Sequence, residues 1–161
     1  MNISPLPMIM LEPLARAALL EDLGRAGDLT TDAIVPADAR VTTVLAARQP
    51  GVLAGLDLAA LVFRLIDPRI EVNCARRDGD AIAAGEVVAS IGGPARGILT
   101  AERTALNFLC RLSGVATATA SIVASVREHK ARIVCTRKTT PGLRAVEKYA
   151  VRAGEIGRAH V

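Results

Sequence analysis

Ile133-Val134-Cys135-Thr136-Arg137-Lys138-Thr139-Thr140-Pro141-Gly142 is the stretch on which the reading of this chain turns. Three apolar residues, two of them β-branched, predict a short buried strand; the polar run after them is a loop, and Pro141-Gly142 is a turn before a helix from Leu143 to Ala153. Upstream, Thr100 is placed to cap a helix reaching about Lys130, with Leu106, Leu109 and Cys110 on its buried face and Ser113-Gly114 interrupting it. Long helix, buried strand, polar loop and helix make the opening of a parallel α/β unit, whose loop after the strand is where ligands are usually bound. A single strand cannot form a sheet, so this unit is expected to be unfinished within the 161 residues.

Further back, Gly92-Gly93-Pro94 punctuates the chain and the pattern before it is different. Glu12 to Leu23 reads as a helix with Pro13 near its start and Gly24 past its end, and Gly27 to Asp32 as a turn leading into a short helical segment. Val41 to Ala47, Val52 to Ala54, Ile70 to Ala75 and Glu86 to Ile91 predict strands, and Asp57 to Ile66 a helix closed by Asp67-Pro68. An antiparallel or mixed sheet with helices on one face follows. The expected organisation is an α+β sandwich over residues 1–99, the start of an α/β barrel over 100–154, and an anomalous tail at 155–161.

Apolar residues make up 51% of the chain, mostly Ala, Val, Leu and Ile, which is the composition of a globular α/β core and not of a disordered chain. No uninterrupted apolar run long enough to span a bilayer and no signal-peptide pattern is present, so a cytoplasmic protein without membrane association is expected. Cys74, Cys110 and Cys135 are widely spaced and odd in number, predicting buried free thiols in place of a disulfide framework. Residues 1–99 carry nine arginines against twelve acids, whereas residues 100–161 carry eleven Lys or Arg against four acids. The second part attracts anions. Its cations are scattered singly through an aromatic-poor sequence, which favours a small, highly charged substrate over nucleic acid.

The densest candidate is Thr136-Arg137-Lys138-Thr139-Thr140, where two adjacent cations flanked by hydroxyls supply charge-assisted donors for carboxylate or phosphate oxygens. The alternative is a solvated loop with an incidental basic pair. Arg103, expected in the first turn of its helix, sits where the macrodipole disfavours a cation, so something anionic compensates it unless it is a plain surface arginine. The turns from Arg77 to Glu86 are similar to those of lipoyl or biotinyl carrier modules, yet the first lysine is Lys130, so no attachment residue exists at that hairpin. Neither a Ser-His-Asp set, a Cys-His set nor a P-loop can be assembled.

Glu21-Asp22-Leu23-Gly24 with Gly27-Asp28-Leu29-Thr30-Thr31, then Gly51 to Gly55, Glu102 to Asn107, Ser113 to Thr117, Thr136 to Gly142 and Glu147 to Val151 together resemble, in order, the quinolinate phosphoribosyltransferase family. The resemblance implies an N-terminal sandwich followed by a barrel with an incomplete ring of strands, and a homodimer whose active site is shared between subunits. It implies transfer of phosphoribosyl from phosphoribosyl pyrophosphate to quinolinate, with Mg²⁺, release of pyrophosphate and CO₂, and nicotinate mononucleotide as product. On this resemblance Arg137 holds a quinolinate carboxylate, Lys138 faces phosphoribosyl pyrophosphate or quinolinate, Thr136 shapes the loop, and Arg103 is supplied by the neighbouring subunit.

The family continues after Arg152-Ala153-Gly154 with an Asn-His-Arg group and later acidic residues for metal and ribose; here Glu155 to Val161 follows, with His160 out of register. Those seven residues are also what one reading frame of a common sequencing-library adapter encodes, so they are expected not to be native, and the Mg²⁺ ligands are expected in a part these residues do not include. A ModD-type or nicotinate phosphoribosyltransferase relative, or a non-catalytic dimerisation fragment, are the competing readings; Arg103 and Arg137 favour a dicarboxylate.

Overall fold

The computed structural model describes residues 3–130 and 133–154; residues 155–161, with His160, lie outside the described residues. The first helix, α1 (Met8–Leu23), buries Leu11, Ala15 and Leu19, a four-residue spacing that lays one narrow stripe against the core. It begins one turn before the expected Glu12, so Pro13 sits inside the helix, on its exposed side. A short helix, α2 (Leu29–Ile34), follows the predicted turn, its N-cap Asp28 accepting from the Thr31 N–H at 3.0 Å.

Three strands form one antiparallel sheet in the order β1 (Arg40–Ala46), β5 (Val87–Pro94), β3 (Glu71–Cys74). A second, two-stranded sheet pairs β2 (Gly51–Val52) with β4 (Ala81–Ile82). The antiparallel sheet is as expected, but β4 is a strand the sequence reading missed: two residues between turns carry no periodicity to detect. Helix α3 (Leu56–Ile66) buries seven of its residues, from Leu56 through Phe63 except Asp57, and is the centre of the core. Each large side chain buried there contributes ~1.5–3 kcal/mol.

Gly92-Gly93-Pro94 does not break the chain. These residues finish β5, which runs directly into α4 (Ala95–Val126). Gly93 has φ 152°, and a Cβ there would lie 3.0 Å from Ile70 Cα, so glycine is required by close backbone approach to the turn before β3. Helix α4 therefore starts five residues before Thr100, is not interrupted at Ser113-Gly114, and ends at Val126. Its buried stripe is Ala101, Ala105, Leu109, Leu112, Ala116 and Thr119, which phases Cys110 outward. The expectation of buried thiols fails there and at Cys74, which points out from an edge strand; Cys135 is half-buried.

By length and composition α4 is apolar enough to cross a membrane. Its packing against α3, α5 (Arg144–Ala153) and β2 makes it a core helix of this fold. Two hydroxyls on it hold β2 and the residues just after it: Thr117 Oγ1 accepts from the Val52 N–H at 2.9 Å, while Ser113 Oγ accepts from the Ala54 N–H at 3.1 Å and donates to the Ala54 carbonyl at 3.3 Å. A Cβ on Gly51 would lie 2.6 Å from that Thr117 oxygen, so glycine lets the strand come this close. Residues 133–135 form no strand, because among the described residues no backbone lies alongside to bond them; Val134 is 67% exposed.

Candidate functional site

Thr136, Arg137 and Lys138 lie together on the exposed loop between α4 and α5. The loop turns locally on itself, with Thr136 Oγ1 accepting from the Lys138 N–H at 3.1 Å. No acid pairs with the side chains of Arg137 or Lys138 among the described residues.

What fixes this loop is α5, which reaches it on both sides of the cation pair. Lys148 Nζ donates to Cys135 Sγ at 3.3 Å, and Arg144 Nε donates to Thr139 Oγ1 at 3.3 Å. Between them Glu147, buried at 7% exposure, accepts from the Thr140 N–H at 3.0 Å, the Thr140 hydroxyl at 2.8 Å and Arg111 Nη2 at 2.8 Å. Burial pushes the Glu147 carboxyl up, but the Arg111 guanidinium and the Thr140 donors outweigh it and hold the group below its ordinary range. Arg111 and Glu147 are absent from the sequence-predicted site; an arginine and a glutamate so far apart in sequence give no local signal of their pairing.

Behind the loop, α5 is tied to the sandwich. The buried Tyr149 hydroxyl donates to Asp78 Oδ2 at 2.8 Å, and Asp78 in turn accepts from the Gly55 and Leu56 N–H groups at the start of α3. Burial, reinforced by the Asp78 carboxylate, pushes the Tyr149 phenol up, so it remains a donor.

Arg103 is elsewhere. Its position in the third turn of α4 removes the macrodipole argument, and the anion beside it is Asp22 of α1, at 2.9 Å. The guanidinium is 74% exposed and lines a cleft of about 250 Å³ with Asp22, Asp28, Thr30 and Thr100. Thr100, expected to cap α4, instead donates to Asp28 Oδ2 at 3.1 Å. The Thr31 donors, with the Thr100 hydroxyl and the Arg103 charge, hold the Asp28 carboxyl below its usual range. A larger cleft, about 470 Å³, lies at the start of α3 beside Cys74, Arg77 and Asp78, and none of the four expected site residues lines it.

The structure thus brings together Thr136, Arg137 and Lys138 and leaves Arg103 outside the contacts that fix their loop. Among the described residues no three His, Cys, Asp or Glu side chains converge on a possible metal position.

Residues 28–113 match the model of the quinolinate phosphoribosyl transferase N-terminal domain, and residues 115–160 that of the C-terminal domain. The chain is 48% identical over 144 residues to the nicotinate-nucleotide pyrophosphorylase (carboxylating) of Mycobacterium leprae, covering 86% of this chain and 50% of the relative. It is 40% identical over 146 residues to the probable nicotinate-nucleotide pyrophosphorylase (carboxylating) of Bacillus subtilis, covering 91% and 50%. Among solved structures, NadC from Streptococcus pyogenes superposes with a TM-score of 0.90 at 40% identity, covering 94% of this chain and 53% of that one. The nicotinate-nucleotide pyrophosphorylase of Francisella tularensis gives 0.88 at 36% identity, covering 96% and 55%. The chain spans about half the length of these relatives.

Proposed function

We propose, from the premise that this chain belongs to the quinolinate phosphoribosyltransferase family, that it carries part of the active site for phosphoribosyl transfer to quinolinate with decarboxylation, giving nicotinate mononucleotide. The observation that supports this best is the exposed Arg137-Lys138 pair, held in a loop anchored at Cys135, Thr139 and Thr140 while its own charges have no acid partner among the described residues. Arg137 offers a planar fork matched to a carboxylate, and Lys138 a compact charge for a phosphate or a second carboxylate. Thr136, whose hydroxyl accepts from the Lys138 N–H, holds the turn that carries both.

Such fixed cations stabilise negative charge on the substrates without having to reorganise as it moves during reaction. Mg²⁺ would supply further charge neutralisation at the pyrophosphate, although the described residues offer no ligand set for it. Arg103, exposed and in none of the contacts that anchor the loop, is proposed to serve the site of a neighbouring subunit in a homodimer, with the family's α/β barrel completed by residues beyond this stretch. A sandwich over 1–99 followed by the barrel's start from 100 is proposed as the domain plan, α4 carrying the chain across that division unbroken. A cytoplasmic location completes the reading.

The test is formation of nicotinate mononucleotide from quinolinate and phosphoribosyl pyrophosphate by a full-length enzyme carrying these residues, with the 161-residue chain expected to show none. Arg103→Ala and Arg137→Ala subunits, each inactive, are then mixed. Exchange into heterodimers restores one intact site and some activity if Arg103 acts across the interface; demonstrated exchange without recovery overturns the shared-site assignment.

A further inference from the structure

Most of the cations and hydroxyls near the proposed site have evident reasons to be there, but Glu147 is an acid buried beneath a loop meant to bind anions. A carboxylate there weakens the local positive potential, so its presence needs a reason other than attraction. Its geometry supplies one. Oε1 accepts from both Arg111 and the Thr140 hydroxyl at 2.8 Å, Oε2 accepts from the Thr140 N–H at 3.0 Å, and Arg111 Nη2 also reaches Thr140 Oγ1 at 3.3 Å. Both oxygens are used, and one guanidinium neutralises the charge, so little negative potential is left to reach the loop crest.

We infer that Glu147, braced by Arg111, is a positioning residue that sets the placement of Arg137 and Lys138 through Thr140. This rests on the reading of Arg137 as a quinolinate ligand. Thr140 lies three residues beyond Arg137, and Cys135, held by Lys148, lies two before it. With both ends of so short a segment pinned to α5, the backbone between has little freedom, and the two cations are presented without being paired. Arg111 adds a second consequence. It stands on α4 and Glu147 on α5, so the brace registers the loop against the long core helix as well as against its own.

The experiment uses the full-length enzyme and compares Glu147→Gln, Thr140→Ala, Thr140→Ser, Tyr149→Phe and Arg137→Ala by quinolinate titration, steady-state kinetics and thermal melting. Glu147→Gln keeps the shape but places an NH₂ group against one of the donors, and Thr140→Ala removes only the hydroxyl. Both are expected to raise the quinolinate Kd by about ten- to a hundredfold, as loss of charge-assisted bonds and misplacement of the ligand predict. Thr140→Ser, which keeps the hydroxyl, is expected to restore near wild-type affinity. Tyr149→Phe, cut at the far side of α5, is expected to lower the melting temperature while leaving the quinolinate Kd in place. If Glu147→Gln and Thr140→Ala lower the melting temperature as Tyr149→Phe does and leave quinolinate affinity unchanged while Arg137→Ala abolishes it, Glu147 is only structural and the inference is overturned. If Arg137→Ala itself leaves the affinity unchanged, the reading of the loop fails and the inference falls with it. Should Glu147→Gln not fold, the Thr140 pair decides by the same criterion.

Discussion

Along α4, Arg96, Arg103 and Arg111 each meet an acid: Asp32 at 3.2 Å, Asp22 at 2.9 Å and Glu147 at 2.8 Å. In the loop before α5, Arg137 and Lys138 are next to each other and meet none among the described residues. The difference is instructive because residue type alone would treat these five cations alike. On α4 each guanidinium joins one element to another: α2 through Asp32, α1 through Asp22, α5 through Glu147. Among the described residues the loop cations pair with no acid, which under the proposed function leaves their charge for an anionic ligand. Pairing thus sets Arg96 and Arg111, which tie the fold together, apart from the loop pair proposed for the site, while Arg103, paired with Asp22 yet proposed for a neighbouring subunit's site, would have to exchange that partner.

The largest effect expected from this contrast is at Arg137. Arg137→Ala should abolish measurable quinolinate binding in the full-length enzyme, a loss of ~2–5 kcal/mol for removing the partner of a bound carboxylate, while the melting temperature stays at the wild-type value. Arg103→Ala removes only a solvent-screened pair with Asp22, so its melting temperature should also move little. Near wild-type quinolinate saturation by Arg137→Ala in steady-state kinetics would remove the loop from the site and erase the distinction.

A smaller effect sharpens the same contrast from the side of uncharged groups. Ser113 and Thr117 look like surplus polarity in a helix, yet they bond the N–H groups of Ala54 and Val52, where β2 has α4 and not a strand as neighbour. Ser113→Ala or Thr117→Ala leaves a backbone N–H in or just after β2 without its partner, which should lower unfolding free energy by ~1–3 kcal/mol each in denaturant titration. Quinolinate affinity should not move. A loss of affinity matching the loss of stability would mean that the fold and the site are not separable in this way.

The antiparallel sheet, the short helix α2 after its turn, and helices α3 and α5 were legible because each is written locally, in alternation, turn residues or helical spacing. The boundaries of α4 were not. Gly92-Gly93-Pro94 carries the signal of a break, but Gly93 answers to the close approach of Ile70 and Pro94 presets the dihedral from which a helix can start. Thr100 and Ser113 carry helix-end signals and spend their hydroxyls on Asp28 and Ala54 instead, through contacts 72 and 59 residues apart. The same limit hid Arg111 and Glu147. Arg137 and Lys138 were visible because they stand side by side in the sequence among hydroxyls, and the residues that hold their loop were not, because those are defined by partners distant in sequence.

The smallest effect expected is a dependence on pH, and it tests whether the fold's acids also serve the site. Glu147 is held below its ordinary value of 4.5: burial acts against ionisation, but the Arg111 guanidinium and the Thr140 N–H and hydroxyl outweigh it. A group whose pKa is lower folded than unfolded stabilises the fold fully above its unfolded value and loses that contribution as pH falls through the folded one. Glu147 therefore contributes at neutral pH, and its contribution fades in acid, below about 4.5. The effect is modest because burial offsets part of what the donors supply. Glu147→Gln, which cannot ionise, should melt below wild type at neutral pH, and the gap should narrow as the buffer is taken below about pH 4.5. A gap that stays constant through that range would mean that the carboxylate's charge contributes nothing to the brace and that hydrogen-bond shape alone holds the loop. The deficit of the amide variant would then come from its NH₂ group facing a donor, and the charge pairing of Arg111 with Glu147 would lose its place among the contacts that bind α4 to its neighbours.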